Sequence, residues 1–145
     1  MIIGIGSDHG GFDLKEEMIS FLKENGYQVK DFGTHSKESV DYPDFGRVVG
    51  EAVVAGEIDR GVVICGTGIG ISISANKVKG VRAALCGDVY SARMSREHNN
   101  ANVLAMGGRV LGVDLAKEIL STYLKSKFQG GRHERRVNKI AEMED

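Results

Sequence analysis

Gly61-Val62-Val63-Ile64-Cys65-Gly66-Thr67-Gly68-Ile69-Gly70 is the stretch on which the fold turns. Its first half is apolar without alternation, the composition of a strand buried on both faces, and such strands belong to parallel sheets covered by helices on each side. Its second half alternates glycine with other residues and leads into a short helix expected over Ile71–Lys77. Glycines at that spacing let successive backbone N–H groups face one concavity. There, with the positive end of the following helix, they can hold an anion. The pattern is G-x-G-x-G and not the G-x-G-x-x-G of dinucleotide-binding loops. A plain strand–turn–helix with a buried cysteine is an equally good reading of these ten positions taken alone, because free cysteine is commonly buried.

Outward from this segment the chain alternates strands and helices. Apolar runs at Ile2–Ile5, Tyr27–Phe32, Val81–Cys86 and Asn102–Met106 read as four more strands. Between them, residues at helical spacing mark a helix through Leu14, Met18, Phe21 and Leu22, capped by Gly26, and another through Val48, Val49, Ala52 and Val53 after Pro43. Asp88–Glu97 follows with Asp88 as N-cap, then Leu115–Leu124 with Ile119, Leu120 and Tyr123 inward, then a polar helix over Glu134–Met143. This order predicts an α/β fold: a three-layer α/β/α sandwich around a five-stranded parallel, Rossmann-like sheet, in one domain over residues 1–145. In such sheets ligands bind at the carboxyl ends of the strands.

The chain has 145 residues, enough for one core, with 41% hydrophobic and 27% charged residues and a net charge of −1. That balance gives no electrostatic reason to expect nucleic acid or an anionic membrane as partner. Met1-Ile2-Ile3-Gly4 carries no basic leader region, no apolar run approaches the roughly 20 residues of a membrane span, and two cysteines make no disulfide framework. A cytoplasmic enzyme with reduced thiols is the expectation. Cysteine and histidine lack zinc-ligand spacing, so no metal is expected. Glycine, at 20 residues, has roughly twice its usual share of about 7% and sits mostly at the ends of apolar runs.

The segments after the strands carry the polar chemistry. They are Gly6-Ser7-Asp8-His9-Gly10-Gly11, the Cys65–Gly70 turn, Cys86-Gly87-Asp88 and Gly107-Gly108-Arg109. Cys65, just before a helix N-terminus, has the setting that lowers a thiol pKa, whereas Cys86 reads as structural. His98-Asn99-Asn100, taken alone, reads as a helix C-cap. Arg132 and Arg136, four apart, share a helix face if the terminal helix starts early, and the fork of arginine suits phosphate.

Taken together these residues resemble the type B ribose-5-phosphate isomerases. The match runs through Ser7–Gly11, Asp41-Tyr42-Pro43, Ile64–Ser72, Ala75-Asn76-Lys77, Ser95–Leu104, Gly107-Gly108-Arg109 and Gly130-Gly131-Arg132-His133, essentially the whole chain. The resemblance implies interconversion of ribose 5-phosphate and ribulose 5-phosphate with no metal and no cofactor, by homodimers often paired into tetramers. It implies Cys65 as the base between C1 and C2, and Thr67 with the amides of Gly66, Gly68, Ile69 and Gly70 as the enediolate cradle. His98 is implied as the ring-opening acid/base, and Asp8, Tyr42 and Asn99 as hydroxyl contacts. His9, Arg132 and Arg136 are implied as phosphate ligands, with Arg109 completing the polar wall. Some relatives use a glutamate just inside the following helix; here that position is Ile71, which leaves Cys65 as the base. The terminal segment 130–145, polar and set off by Gly130-Gly131, is expected to pack on a partner subunit and bring its arginines to an active site at the interface. Two alternatives stand beside this reading. One is isomerisation of a six-carbon sugar phosphate, allose 6-phosphate or galactose 6-phosphate. The other is a nucleotide-binding regulatory module on the same sheet.

Overall fold

In a computed structural model, which describes residues 1–144, the central strand spans Arg60–Cys65 (β3). Its companions are Ile2–Ser7 (β1), Gln28–Asp31 (β2), Ala83–Leu85 (β4) and Val103–Gly107 (β5). All pairings are parallel, in the order β2-β1-β3-β5-β4. The connecting helices are Phe12–Glu24 (α1), Tyr42–Val54 (α2), Ile69–Asn76 (α3), Val89–Glu97 (α4) and Val113–Lys125 (α5), and Arg132–Glu142 (α6) ends the chain. Asp145, the last residue of the expected partner-facing segment, lies outside the described residues.

The apolar strands are buried on both faces, as their composition requires. Ile3, Ile5, Val62, Ile64, Leu104 and Met106 face α1, α4 and α5, while Val63, Cys65, Val103 and Ala105 face α2 and α3. The three-layer α/β/α sandwich with a five-stranded parallel sheet is therefore the fold. Among the described residues, no helix is long and apolar enough to cross a membrane.

Local sequence sets the element ends. Asp88 caps α4, its Oδ1 accepting from the Ser91 N–H at 2.7 Å. At the end of α1, Gly26 takes φ +83°, so that its N–H reaches the Lys23 carbonyl and the Tyr27 N–H reaches that of Leu22, a glycine-type helix stop. β2 and β4 are shorter than the runs 27–32 and 81–86 suggested. Both lie at sheet edges, where a ladder on one side only holds fewer residues in register. α3 begins two residues before the expected Ile71, and α6 begins at Arg132 where Glu134 was expected, after Gly130 and Gly131 turn the chain at φ +68° and +56°.

Candidate active site

The chain reverses direction across the sheet between β1 and β3: β1 is followed by β2 on one side, and β3 lies on the other. A crevice opens outside the carboxyl ends of two such strands. It is lined by Asp8 and His9, which follow β1, and by Cys65 and the turn that follows it.

Cys65 ends β3 and is 5% exposed. The Gly68 N–H donates to Cys65 Sγ at 3.1 Å, and the Ile69 N–H donates to Thr67 Oγ1 at 3.1 Å. Gly68 adopts φ +81° with its α-carbon against the Met106 backbone, so that a side chain there would be both strained and blocked. The turn differs in one respect from the expected cradle. Two of its five amides, those of Gly68 and Ile69, are bound within the loop itself, leaving Gly66, Thr67 and Gly70 to meet a ligand.

Around this turn, Asp8 is buried and its Oδ1 accepts from the Gly11 N–H at 3.1 Å, while its own N–H donates to the Ile64 carbonyl. His9 Nδ1 accepts from the Val40 N–H at 3.2 Å, which assigns the proton of a neutral ring to Nε2. Val40 lies in the loop after β2, a contact with no sequence signal. The Arg109 N–H donates to the Gly66 carbonyl at 2.9 Å, and its guanidinium lies across Gly10 and Gly66, over surface that side chains there would fill. Tyr42 opens α2 with its ring against Gly70. Asp8, His9, Tyr42, Cys65, Thr67 and Arg109 thus meet at one edge of the sheet.

His98, Asn99, Arg132 and Arg136 do not join them. α4 starts at the carboxyl edge, after β4, and returns along the sheet, so His98 at its end and Asn99 beyond it come out at the amino edge, just before β5. β3 and β5 are paired from Gly61–Val103 to Cys65–Gly107. Four steps of about 3.3 Å therefore put roughly 13 Å of strand between the two edges. The two groups cannot share a site within one subunit, contrary to what Cys65 and His98 in one mechanism would suggest. Instead His98 groups with the terminal helix: its ring stacks on that of His133, centroids 4.1 Å apart and planes 8° from parallel. Arg132 and Arg136 sit on the same helix and are exposed.

The amino-edge loop is held by side chains. Asn100 takes φ +48°, unusual for a residue with a side chain. Its carbonyl accepts from Arg82 Nε and Nη2 at 3.1 and 3.0 Å, and its Oδ1 accepts from Arg96 Nη1 at 2.9 Å. Arg96 Nη1 and the Tyr123 hydroxyl both donate to the Ala101 carbonyl, at 2.7 and 2.9 Å. Arg82, Arg96 and His133 are the residues that sequence reasoning gave no role.

Burial pushes the Cys86 thiol up to about 11, against a smaller opposing hydrogen bond from Ser95. His133 is shifted down, first by burial and then by its neighbours His98, Arg132 and Arg136. Among the described residues no three His, Cys, Asp or Glu side chains gather so as to hold a metal ion.

The ribose/galactose isomerase family profile matches residues 3–140. The chain is 51% identical to ribose-5-phosphate isomerase B of Escherichia coli K12, over 98% of this chain and 95% of that one. It is 45% identical to the galactose-6-phosphate isomerase subunit LacB of Clostridium acetobutylicum, over 96% of this chain and 80% of that one. A solved ribose-5-phosphate isomerase B from Clostridium thermocellum superposes with a TM-score of 0.99 at 67% identity, covering 99% of this chain and 97% of the other.

Proposed function

The chain belongs to the ribose/galactose isomerase family and is an aldose–ketose isomerase, and from that premise we propose that it interconverts D-ribose 5-phosphate and D-ribulose 5-phosphate in the cytoplasm. The observation that carries the proposal is Cys65 at the end of β3, at the mouth of the β1/β3 crevice, with an N–H aimed at its sulfur. That is the contact a thiolate base would use. In this reading Cys65 takes the proton from C2 of the open aldose and returns it to C1, while the proton of the C2 hydroxyl passes to the C1 oxygen, so that the C2 oxygen becomes the carbonyl. Charge develops on the substrate oxygens, where Thr67 and the free amides of the turn stabilise it; one well-placed donor supplies about 3 kcal/mol.

Ribose 5-phosphate exists mainly as a ring, so an acid/base must first deliver a proton to the ring oxygen as its bond to C1 breaks and accept the C1 hydroxyl proton. We assign this to His98. Because His98 lies at the far edge from Cys65, the working site is composite. Cys65, Thr67, Asp8, His9, Tyr42 and Arg109 come from one subunit of a homodimer. His98, Asn99, Arg132 and Arg136 come from the other. A two-fold axis then makes two identical sites. His9 and the two α6 arginines take the phosphate, anchoring the substrate far from the reacting carbons, while Asp8, Tyr42 and Asn99 take hydroxyls and Arg109 completes the polar wall. Residues 1–145 serve as one catalytic domain, with segment 130–145 reaching the partner.

Turnover of ribose 5-phosphate, allose 6-phosphate and galactose 6-phosphate, each measured with a chelator present, tests the proposal. It expects the five-carbon substrate to be strongly preferred and the chelator to have no effect. Preference for a six-carbon substrate would overturn the substrate assignment. Nucleotide binding with no turnover of any of the three would overturn the enzyme.

A further inference from the structure

The stack of His98 on His133 joins two elements 35 positions apart and is the one ring-on-ring contact among the described residues. The rings differ in setting. His133 is 6% exposed, on the buried face of α6 with Val137, while His98 at the end of α4 is half-buried. The charged groups around the pair are mainly cationic. Arg132 and Arg136 flank it on α6, and Arg82 and Arg96 bind Asn100, two residues after His98. Glu97, the residue before His98, is engaged by Gln129 Nε2 at 3.0 Å and by Arg93 at 3.8 Å.

We propose that His133 is the positioning residue for His98: a buried ring that stacks on the His98 imidazole and fixes its plane. The two rings lie face to face with centroids 4.1 Å apart, so His133 covers one face of His98 and limits its rotation. With one face covered by His133, the His98 ring is held with its edge, where both nitrogens lie, free to meet a ligand. The downward shift of His133, by burial first and then by His98, agrees with two rings held in close contact. The inference rests on the assignment of ring opening to His98.

The test uses the full chain and its variants His133→Ala, His133→Phe and His98→Asn. Initial rates are measured on ribose 5-phosphate and on ribulose 5-phosphate, which cannot form the same ring. His133→Ala should lose about tenfold on ribose 5-phosphate, part of the 10²–10⁴ a positioned acid/base supplies, and much less on ribulose 5-phosphate. His133→Phe, flat and uncharged, should restore most of the loss. Equal losses on both substrates in His133→Ala, or no rescue by phenylalanine, overturn the proposal. If His98→Asn itself shows equal losses, the ring-opening assignment fails and the inference falls with it. If His98→Asn is direction-dependent and His133→Ala is not, the inference alone fails. A readout independent of activity is the NMR titration of the His133 ring. Its midpoint should rise in His98→Asn, and an unmoved midpoint overturns the contact on which the positioning rests, even if His133→Ala does not fold.

Discussion

The two edges of the sheet are built by different means. At the carboxyl edge the backbone does the placing. Cys65, Thr67 and Asp8 sit on or beside strand ends, and their polar atoms are tied to N–H groups of their own turns. At the amino edge side chains do the placing. A left-handed asparagine is clamped by two arginines, Tyr123 braces the next carbonyl, and His98 leans on a ring from another helix. A site whose donors are backbone is organised before substrate arrives and resists substitution at its neighbours. A site built on side-chain packing can be loosened one contact at a time. The comparison thus separates chemistry that depends on one atom from chemistry that depends on a scaffold of several.

The largest effect should come from the one-atom edge. Cys65→Ala should reduce turnover at least about 100-fold, the usual cost of losing a positioned base. The fold should survive, because the cradle amides are main chain. Steady-state rates with circular dichroism as the folding control decide it, and a variant retaining more than roughly a tenth of the activity would place the base elsewhere.

A second experiment breaks the comparison itself, by asking whether the two edges of one chain ever work together. Cys65→Ala and Arg132→Ala/Arg136→Ala are each expected to be nearly inactive. In randomly mixed dimers of a composite-site enzyme, half the dimers are mixed, and each of these has one site with both defects and one with neither. About a quarter of wild-type activity should return. Subunit exchange is established first by denaturing and refolding the mixture. No recovery after proven exchange would mean that a subunit's arginines serve its own cysteine.

These differences also explain what could be read from the sequence. The carboxyl edge was legible because its residues follow strands directly: an apolar run with Cys65-Gly66-Thr67-Gly68 behind it gives element, edge and chemistry at once. Caps at Gly26 and Asp88 were legible because capping is local. His98-Asn99-Asn100 could be recognised as a motif, and its position before a parallel strand already implies the amino edge. The separation from Cys65 was therefore available in the sequence, but only by combining the order of elements with the direction of the sheet. The His98–His133 stack and the clamp of Arg82 and Arg96 on Asn100 depend on long-range packing, and no periodicity or spacing announces such contacts. The ends of β2 and β4 were overextended because an apolar run does not reveal that a strand lies at an edge.

A smaller effect should appear at the amino edge in acid. His133 is shifted below its ordinary value of 6.5, so between about that pH and its native pKa the unfolded chain binds a proton that the folded chain does not. Where the unfolded state binds more protons, stability rises with pH. The contribution is therefore intact above about 6.5 and is lost as pH falls toward the native value. Thermal melts of wild type and His133→Phe from pH 7.5 to 5 should converge at the upper end on a fixed difference, and that difference should move in favour of the variant as the solution is acidified. A difference independent of pH would mean that His133 does not titrate in this range.

The smallest effect is expected from a residue that lies at the carboxyl edge without belonging to its site. Cys86 follows β4 directly and Cys65 ends β3, and each is succeeded by glycine. Cys86, however, is 2% exposed, packs in the cluster beneath α4 and α5, and has its thiol pushed up to about 11 by that burial. Cys86→Ala should leave turnover within about twofold and cost roughly 1 kcal/mol of stability through the small void it leaves. Alkylation gives a second measure. At pH 8 a thiol with a pKa near 11 is almost wholly protonated, and the thiolate is the nucleophile. Modification of Cys86 in the Cys65→Ala background should therefore be slow at pH 8 and accelerate about tenfold per pH unit well into the alkaline range. Rapid modification at pH 8, or a large loss of turnover in Cys86→Ala, would show that position along the edge, and not the turn that follows Cys65, is what makes a cysteine reactive in this fold.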